Sequence, residues 1–257
     1  MSTVSVNAVG KMYPSYKTSD PSTIALDNVS FEVKNHEFCS ILGHSGCGKT
    51  SLLNIVAGFE AATSGEILVD GQQVDKPTWK RAMIFQDYAL FPWLTVEKNI
   101  AFGLEMKKIS PEERKIIIES NIQLVGLMGF EKSYPHQLSG GMKQRVSIAR
   151  ALAVDPNVLL MDEPFAALDA QNRTLMQQEM GRLLAASGPS QRRTMMLVTH
   201  SIEESILLSD RIIVLTTRPG RVKANIEVAL PRPRDEDDPQ FRELKIRLRG
   251  LLHEELQ

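Results

Sequence analysis

Two short glycine-containing motifs, far apart in the chain, have the residue types needed to bind phosphate. The first, GHSGCGKT at residues 43–50, matches the phosphate-binding pattern Gly-x-x-x-x-Gly-Lys-Ser/Thr. Its glycines let backbone N–H groups close on phosphate oxygens, while its lysine and threonine add an ammonium group and a hydroxyl. The second motif is LSGG at residues 138–141. The two motifs occur in this order, and an apolar run that ends in two acidic residues follows soon after the second. Together they predict a protein that binds and processes a nucleotide.

The acidic strand end lies in NVLLMDEP at residues 157–164, where an apolar run ends in Asp162 and Glu163. In a parallel sheet this end would lie beside the first motif, because the carboxyl ends of parallel strands share one edge. Asp162 is suited to hold Mg²⁺ through water, and Glu163 to polarise an attacking water. An ordinary helix-capping role is the alternative for either carboxylate.

The composition limits the class of protein. The chain has 257 residues, of which 42% are hydrophobic and 24% charged, and its formal net charge is −1. This balance predicts no nucleic-acid partner, since such domains are usually strongly basic. A disulfide between Cys39 and Cys47 would distort the first motif, so both cysteines are predicted to be free thiols. Without an 18-residue apolar run or a signal-peptide core, we expect a soluble cytoplasmic protein whose membrane role comes through a partner.

The elements that must position these motifs follow from hydrophobic periodicity. Apolar residues 37–42 predict a buried strand that enters the first motif, and residues 50–58 have the spacing of a helix, which is the context that this motif requires. Strands are predicted at 4–9, 26–33, 66–69, 158–161, 194–198 and 211–215, and helices at 110–125 and 140–153. Ser110 and Ser201 open capping boxes.

These elements predict an α/β fold: a P-loop NTPase (RecA-like) core with an N-terminal antiparallel β region and an inserted α-helical lobe. The predicted domains are a discontinuous core at 1–86 and 155–220, a helical lobe at 87–154, and a tail at 221–257. The tail contains a possible hairpin around residues 219–220, a linker rich in proline and charge at 231–239, and an amphipathic helix. The apolar face of that helix predicts docking onto the protein's own core, with partner contact or dimerisation as the alternative. It carries Phe241, Leu244, Leu248, Leu251 and Leu252.

Residues 2–220 resemble the ATP-binding-cassette (ABC) ATPases, which are the nucleotide-binding subunits of membrane transporters. The resemblance implies ATP and Mg²⁺ as ligands, with hydrolysis between two subunits. In one subunit the implied phosphate-binding residues are Gly43, His44, Ser45, Gly46, Cys47, Gly48, Lys49, Thr50 and Ser51. From the other subunit, Ser139, Gly140 and Gly141 of LSGG reach the γ-phosphate, and Asp169 lies in a loop that crosses the interface. The amides of the LSGG motif open a second helix that can bind an anion.

Other motifs of the same family carry further implied roles. Gln86, in IFQDYALFPW, matches the loop that senses Mg²⁺ or water and reports to the membrane subunit. His200, after the strand at 194–198, matches the histidine that contacts the γ-phosphate. Thr50, Gln86 and Asp162 are the implied metal ligands, while Glu163, His200 and Gln86 are the implied catalytic residues. Tyr13 is preferred over Tyr16 as the aromatic residue that stacks on adenine.

Several segments resemble the nitrate/sulfonate/taurine importers within this family, including residues 90–104, EPFAALDA and TTRPGRV. The implied partners are a second ATPase subunit, integral-membrane permease subunits that dock on residues 86–93, and indirectly an extracytoplasmic solute-binding protein. The implied location is the cytoplasmic face of the membrane. Tyr88, Phe91 and Trp93 are candidates for the docking surface, with core packing of the lobe as the alternative. An exporter subunit, a soluble ABC ATPase and a small-molecule kinase are the competing functions.

Overall fold

The computed structural model describes residues 2–15, 22–166, 168, 173–174, 176–177, 180–181 and 193–254. The chain forms two compact units. The first comprises Met1–Pro77 with Gln177–Gln257, and the second comprises Thr78–Met176. Within the described ranges, none of the helices has the length and apolar character needed to span a bilayer.

The first unit holds both ends of the chain. Its strands are β1 (Val4–Tyr13), β2 (Thr23–Val33), β3 (Phe38–Leu42), β4 (Ser64–Val69), β5 (Gln72–Gln73), β8 (Thr194–Thr199), β9 (Arg211–Leu215) and β10 (Val222–Glu227). Its helices are α1 (Lys49–Ala57), α5 (Ile202–Leu208) and α6 (Pro239–His253). β2, β1, β4 and β5 form an antiparallel sheet in that order, which matches the predicted N-terminal β region.

The strand that enters the first motif is central to a second group of strands in this unit. β3 pairs in parallel with β8 on one side and with β9 on the other, and β9 pairs antiparallel with β10. Every residue of β3 and β8 is buried. Such a continuous apolar run is typical of a parallel strand covered on both faces. The predicted hairpin around residues 219–220 is confirmed, since it joins β9 to β10.

The second unit combines two parallel strands with a helical lobe. β6 (Arg81–Ile84) pairs with β7 (Val158–Asp162), and the helices are α2 (Val96–Met106), α3 (Pro111–Leu124) and α4 (Gly140–Ala153). A 3₁₀ turn at Pro135–Gln137 precedes α4. Ser110 caps α3 by accepting a hydrogen bond from the Glu113 amide, as its sequence pattern predicts. β6 is not predicted from the sequence.

Ser201 caps α5, since its hydroxyl accepts a hydrogen bond from the Glu204 amide. The predicted reciprocal bond of a capping box is replaced, because the Ser201 amide donates to the Thr199 hydroxyl instead of the Glu204 carboxylate. The three-part division into core, lobe and tail stays a prediction.

Candidate functional site

The first motif forms a tight loop between a buried strand and a helix. β3 ends at Leu42, and α1 begins at Lys49. Gly48 caps the helix with φ 91°, and Gly46 has φ 80°, a left-handed conformation that side chains rarely adopt. A Cβ on Gly48 would lie 2.6 Å from a methyl group of Leu26 and 2.7 Å from the Ala25 carbonyl oxygen. Glycine is therefore required at position 48 by both conformation and space.

The N-terminus of α1 is suited to an anion. Its N-cap residue has no side chain that could accept from the helix amides, and its first turn contains no acidic residue. The first amides of a helix need an acceptor, and the positive end of the helix dipole favours a negative one. This end of α1 therefore fits a phosphate group.

Lys49 places a buried positive charge at the same loop. Its side chain is only 4% exposed, and its Nζ donates to the carbonyl oxygens of Gly43 at 2.8 Å and His44 at 3.0 Å. A buried ammonium group needs compensating acceptors. The two carbonyls hold the charge inside the curve of the loop, which is where the phosphates of a nucleotide would supply further acceptors.

The outer side of the loop is braced by the turn between β9 and β10. The amide of Gly220 donates to Ala25 O, and its carbonyl accepts from Asp27 N, so the turn is fixed to β2. A Cβ on Gly220 would overlap the Cys47 carbonyl oxygen. The guanidinium group of Arg218 lies against Gly46, since a Cβ there would be 2.8 Å from it. The loop is therefore packed between its own strand and this turn.

Tyr13 is fixed beside α1 by a polar network. Its hydroxyl donates to Glu60 Oε2 at 2.7 Å and lies 2.9 Å from Ser51 Oγ. Glu60 also forms an ion pair with Lys11 at 3.0 Å and accepts from Asn54. Burial alone would raise the pKa of Glu60, but the hydrogen bonds from Tyr13, Asn54 and Lys11 outweigh it and lower the pKa. A half-exposed ring is thus held at the start of the helix that follows the loop.

His200, the residue predicted to contact the γ-phosphate, follows β8 at the same edge of the sheet where β3 enters the loop. Leu42 of β3 is the register partner of Thr199 of β8, and His200 follows directly as an exposed residue. The Thr199 hydroxyl donates to the buried carboxylate of Glu204 and accepts from the Ser201 amide. These bonds fix the backbone on both sides of His200.

The second unit brings the other predicted catalytic residues to one edge. Ile84 of β6 is the register partner of Met161 of β7. Gln86, which is exposed, therefore leaves this pair of strands at the same end as Asp162 and Glu163. Asp162 is 7% exposed, and Glu163 has φ 43°. A non-glycine residue in this region stores strain, which often occurs at functional sites.

The second glycine motif forms the start of α4. Ser139 is its N-cap, and its hydroxyl accepts from the Met142 amide at 3.3 Å. Gly140 and Gly141 open the helix, and its first turn contains no acidic residue. Ser139 and Gly140 are exposed, so this helix end is accessible to an anion brought by another molecule.

An aromatic cluster lies on the loop that follows Gln86. The ring of Phe91 is 4.5 Å from that of Phe102 and 5.7 Å from that of Trp93, measured between centroids. Trp93 is 70% exposed, while Phe91 is half-buried. The Arg150 guanidinium donates to the carbonyls of Tyr88 and Ala89 just before this cluster. Trp93 therefore belongs to the surface of the lobe, and Phe91 supports it from beneath.

Two predicted residues, Asp169 and the alternative adenine partner Tyr16, lie outside the described part of the chain. Where the structure describes the chain, no group of three or more His, Cys, Asp or Glu side chains could hold a metal ion.

The strand, the glycine loop, the buried lysine and the glycine N-cap of the helix together define a P-loop nucleotide-binding protein. Residues 26–166 match the family model described as ABC transporter. The chain belongs to the ABC transporter family, and the predicted class of ATP-hydrolysing subunit is confirmed.

Similar proteins cover nearly all of the chain. An uncharacterized ABC transporter ATP-binding protein of Methanocaldococcus jannaschii is 49% identical over 90% of this chain and 85% of its own length. The aliphatic sulfonates import ATP-binding protein of Bacillus cereus is 44% identical over 95% of this chain and 93% of its own length. The bicarbonate transport ATP-binding protein of Synechococcus elongatus is 44% identical over 91% of this chain, but the match covers 35% of that protein.

A solved structure shows the same fold. It is a dimeric post-hydrolysis state of an ATP-binding cassette bound to ADP and phosphate. The two chains are 32% identical, with a TM-score of 0.75, over 89% of this chain and 100% of the other. The fold predicted from the sequence is thereby confirmed.

Sequence reasoning did not find the residues that support the site. Glu60 accepts a hydrogen bond from Tyr13, and Arg150 donates to the loop after Gln86. Arg218 lies against Gly46. Each is distant in sequence from its target, and none belongs to a phosphate or metal motif. The sequence drew attention to Arg218 in one way, because its segment TTRPGRV resembles that of the importers. That resemblance implied no role for Arg218 itself.

Proposed function

We propose that this chain is the ATP-hydrolysing subunit that energises a membrane importer of small oxyanions of the nitrate, sulfonate or taurine type. The observation that carries the proposal is the phosphate loop, residues 43–50: Lys49 is buried within it, and α1 begins there behind a glycine N-cap that has no side chain to accept from the helix amides. The names of the relatives support an import role, because two of them are import or transport subunits for sulfonates and bicarbonate.

In this proposal the first unit binds the nucleotide. The Lys49 ammonium and the first amides of α1 hold the β- and γ-phosphates of ATP, and Tyr13 stacks on adenine. Bound Mg²⁺ would neutralise developing charge on the phosphates, and Thr50, Asp162 and Gln86 are its proposed ligands. His200 contacts the γ-phosphate from the edge of β8.

Glu163 is the proposed base that orients and polarises the attacking water. Its positive φ fixes the carboxylate immediately after β7, one residue beyond Asp162. We assign the two acids separate tasks, because Asp162 is the last residue of β7 whereas Glu163 leaves the strand in the left-handed region.

A second copy of the chain completes each site. Ser139, Gly140 and Gly141 of one subunit would donate their amides to the γ-phosphate held by the other, with Asp169 at the same interface. The exposed start of α4, without an acidic residue in its first turn, supports this arrangement. Closure of the pair around ATP and reopening after hydrolysis would drive the permease, because ATP binds the closed pair more tightly than the open one.

The permease is proposed to dock on residues 86–93, at the cytoplasmic face of the membrane, with a solute-binding protein acting from the other side. The ring of the exposed Trp93 packs on Phe91, which in turn packs on Phe102, so Trp93 offers an apolar anchor there. Exposed apolar surface of this kind commonly marks an interaction site.

Two variants test the hydrolysis mechanism. Glu163→Gln should retain ATP binding, abolish turnover and accumulate as an ATP-bound dimer in size-exclusion chromatography. Undiminished hydrolysis would refute the role of Glu163.

Ser139→Arg should block hydrolysis while the monomer keeps its affinity for ATP. An affinity loss as large as that of Lys49→Ala would show that Ser139 acts within its own subunit.

The transported solute is tested with the reconstituted complex. The chain and its permease would be assembled in vesicles with candidate binding proteins, and ATP hydrolysis measured with sulfonates, nitrate, bicarbonate and a sugar as control. We expect an oxyanion, together with its binding protein, to stimulate ATP hydrolysis, and the sugar to leave the rate unchanged. Stimulation without binding protein, or transport out of the ATP-containing compartment, would favour an exporter.

Trp93→Ala should lower co-purification with the permease and leave basal hydrolysis unchanged.

A further inference from the structure

The C-terminal helix α6 packs against the strand that leads into the phosphate loop. Phe241 and Leu248 are fully buried, and Leu252 is nearly so. They join a hydrophobic cluster that includes Leu42, the last residue of β3, together with residues of α5, β9 and β10. The predicted docking of this helix onto the protein's own core is thereby observed, and it brings the helix to the base of the loop.

The C-terminal end of α6 is bonded to the loop itself. The last carbonyls of a helix lack partners within it and need outside donors. The Leu251 carbonyl accepts from Lys223 Nζ at 2.8 Å, and the Leu252 carbonyl lies 3.0 Å from His44 Nε2. Since a carbonyl can only accept, His44 Nε2–H is the donor. One of these two donors belongs to β10, and the other is the second residue of the phosphate loop.

His44 connects the helix to the phosphate-binding lysine. Its side chain bonds to α6, and its own carbonyl oxygen accepts from Lys49 Nζ at 3.0 Å. A movement of the α6 terminus would therefore shift the residue that holds one of the acceptors of the Lys49 ammonium. His44 therefore links the C-terminal end of α6 to an acceptor of the Lys49 ammonium.

We propose that α6 is a positioning element for the phosphate loop and acts through the hydrogen bond from His44 to Leu252. The inference rests on the proposed role of the loop in nucleotide binding. A docked α6 holds His44 so that the Gly43 and His44 carbonyls keep Lys49 directed into the loop. By thermodynamic reciprocity, a nucleotide bound in the loop stabilises the docked end of α6 by the same factor.

The first experiment measures the affinity of the full chain for MgADP by calorimetry. His44→Ala removes the donor and should weaken binding by roughly three- to tenfold, the range expected for one hydrogen bond. His44→Gln keeps an N–H at a similar reach and should restore most of the affinity. Lys223→Met removes the other donor to the same helix end without touching the loop, and should leave the affinity unchanged.

The second experiment reads the helix rather than the nucleotide. MgADP should slow amide hydrogen exchange at residues 248–254 in the wild type and in Lys223→Met, but not in His44→Ala. Unchanged MgADP affinity in His44→Ala, or an equal loss in Lys223→Met, would overturn the proposal. Lys49→Ala distinguishes failure of the positioning role of α6 from failure of the proposed function. If this variant binds MgADP like the wild type, the proposed role of the loop in nucleotide binding is wrong.

Discussion

Arg150 ties the loop after Gln86 to helix α4, and removing it should loosen that loop. Its guanidinium donates to Ala89 O at 2.7 Å and to Tyr88 O at 3.2 Å. It also lies 5.5 Å from the centroid of the Phe91 ring. Tyr88 and Ala89 both have positive φ, at 59° and 45°. Two strained residues in succession need outside bonds to persist, and Arg150 provides them.

The size of the effect follows from these contacts. Hydrogen bonds to a charged group contribute about 1.5–3 kcal/mol each, and a cation over an aromatic ring adds ~0.5–1 kcal/mol. The Arg150 guanidinium is partly desolvated by burial, which lowers its pKa, and replacing Arg150 recovers some of that desolvation cost. Ala89 is an exposed residue, so water can replace Arg150 as a donor to its carbonyl. We therefore expect Arg150→Met to lower the free energy of unfolding by about 2 kcal/mol.

Urea unfolding of the full chain, followed by circular dichroism, measures this difference. Arg150→Lys should recover less than half of it, because one ammonium group cannot reproduce a planar fork that spans two carbonyls. Lys143→Met, which removes a cation from the same helix, is the matched control and should change stability by less than about 0.5 kcal/mol. The reasoning is refuted if Arg150→Met matches that control, or if Arg150→Lys behaves like the wild type.

Three further changes test the remaining contacts. Glu60→Gln should release Tyr13 and weaken binding of ATP about threefold but not of tripolyphosphate, measured by calorimetry. Because the pKa of Glu60 is lowered on folding, its stabilisation is present above about pH 4.5 and lost as the pH falls further, so wild type and variant should converge in acid unfolding experiments. Gly48→Ala should abolish ATP binding, whereas Gly71→Ala, with the same φ class but open space, should retain it. Phe241→Ala should cost about 3–5 kcal/mol in urea unfolding.

The motifs that bind phosphate could be predicted because their chemistry is local in sequence. A strand, a glycine loop and a helix are adjacent along the chain, so the pattern at residues 43–50 carries its own structural context. The caps of α3 and α5 were predictable for the same reason, since a capping serine acts on an amide three residues later.

The supporting contacts could not be predicted, because they join residues that only the tertiary structure brings together. Tyr13 and Glu60 are 47 positions apart, and His44 and Leu252 are 208 apart. β6 was missed because its apolar run, residues 82–85, is only four residues long and lies between Arg81 and Gln86, and so short a run does not distinguish a strand from a helix. The amphipathic pattern of α6 predicted a buried face, but no pattern in one sequence specifies what a helix end will bond to.

The turn at Gly220 has a consequence for how fast the nucleotide site can act. It fixes the outer side of the phosphate loop through backbone bonds to β2 and close packing on Cys47. The loop therefore loses its conformational freedom when the chain folds and not when a ligand arrives. A site of this kind imposes little ordering cost on binding, so association should need no slow rearrangement of the loop and is expected to approach the rate of productive encounter.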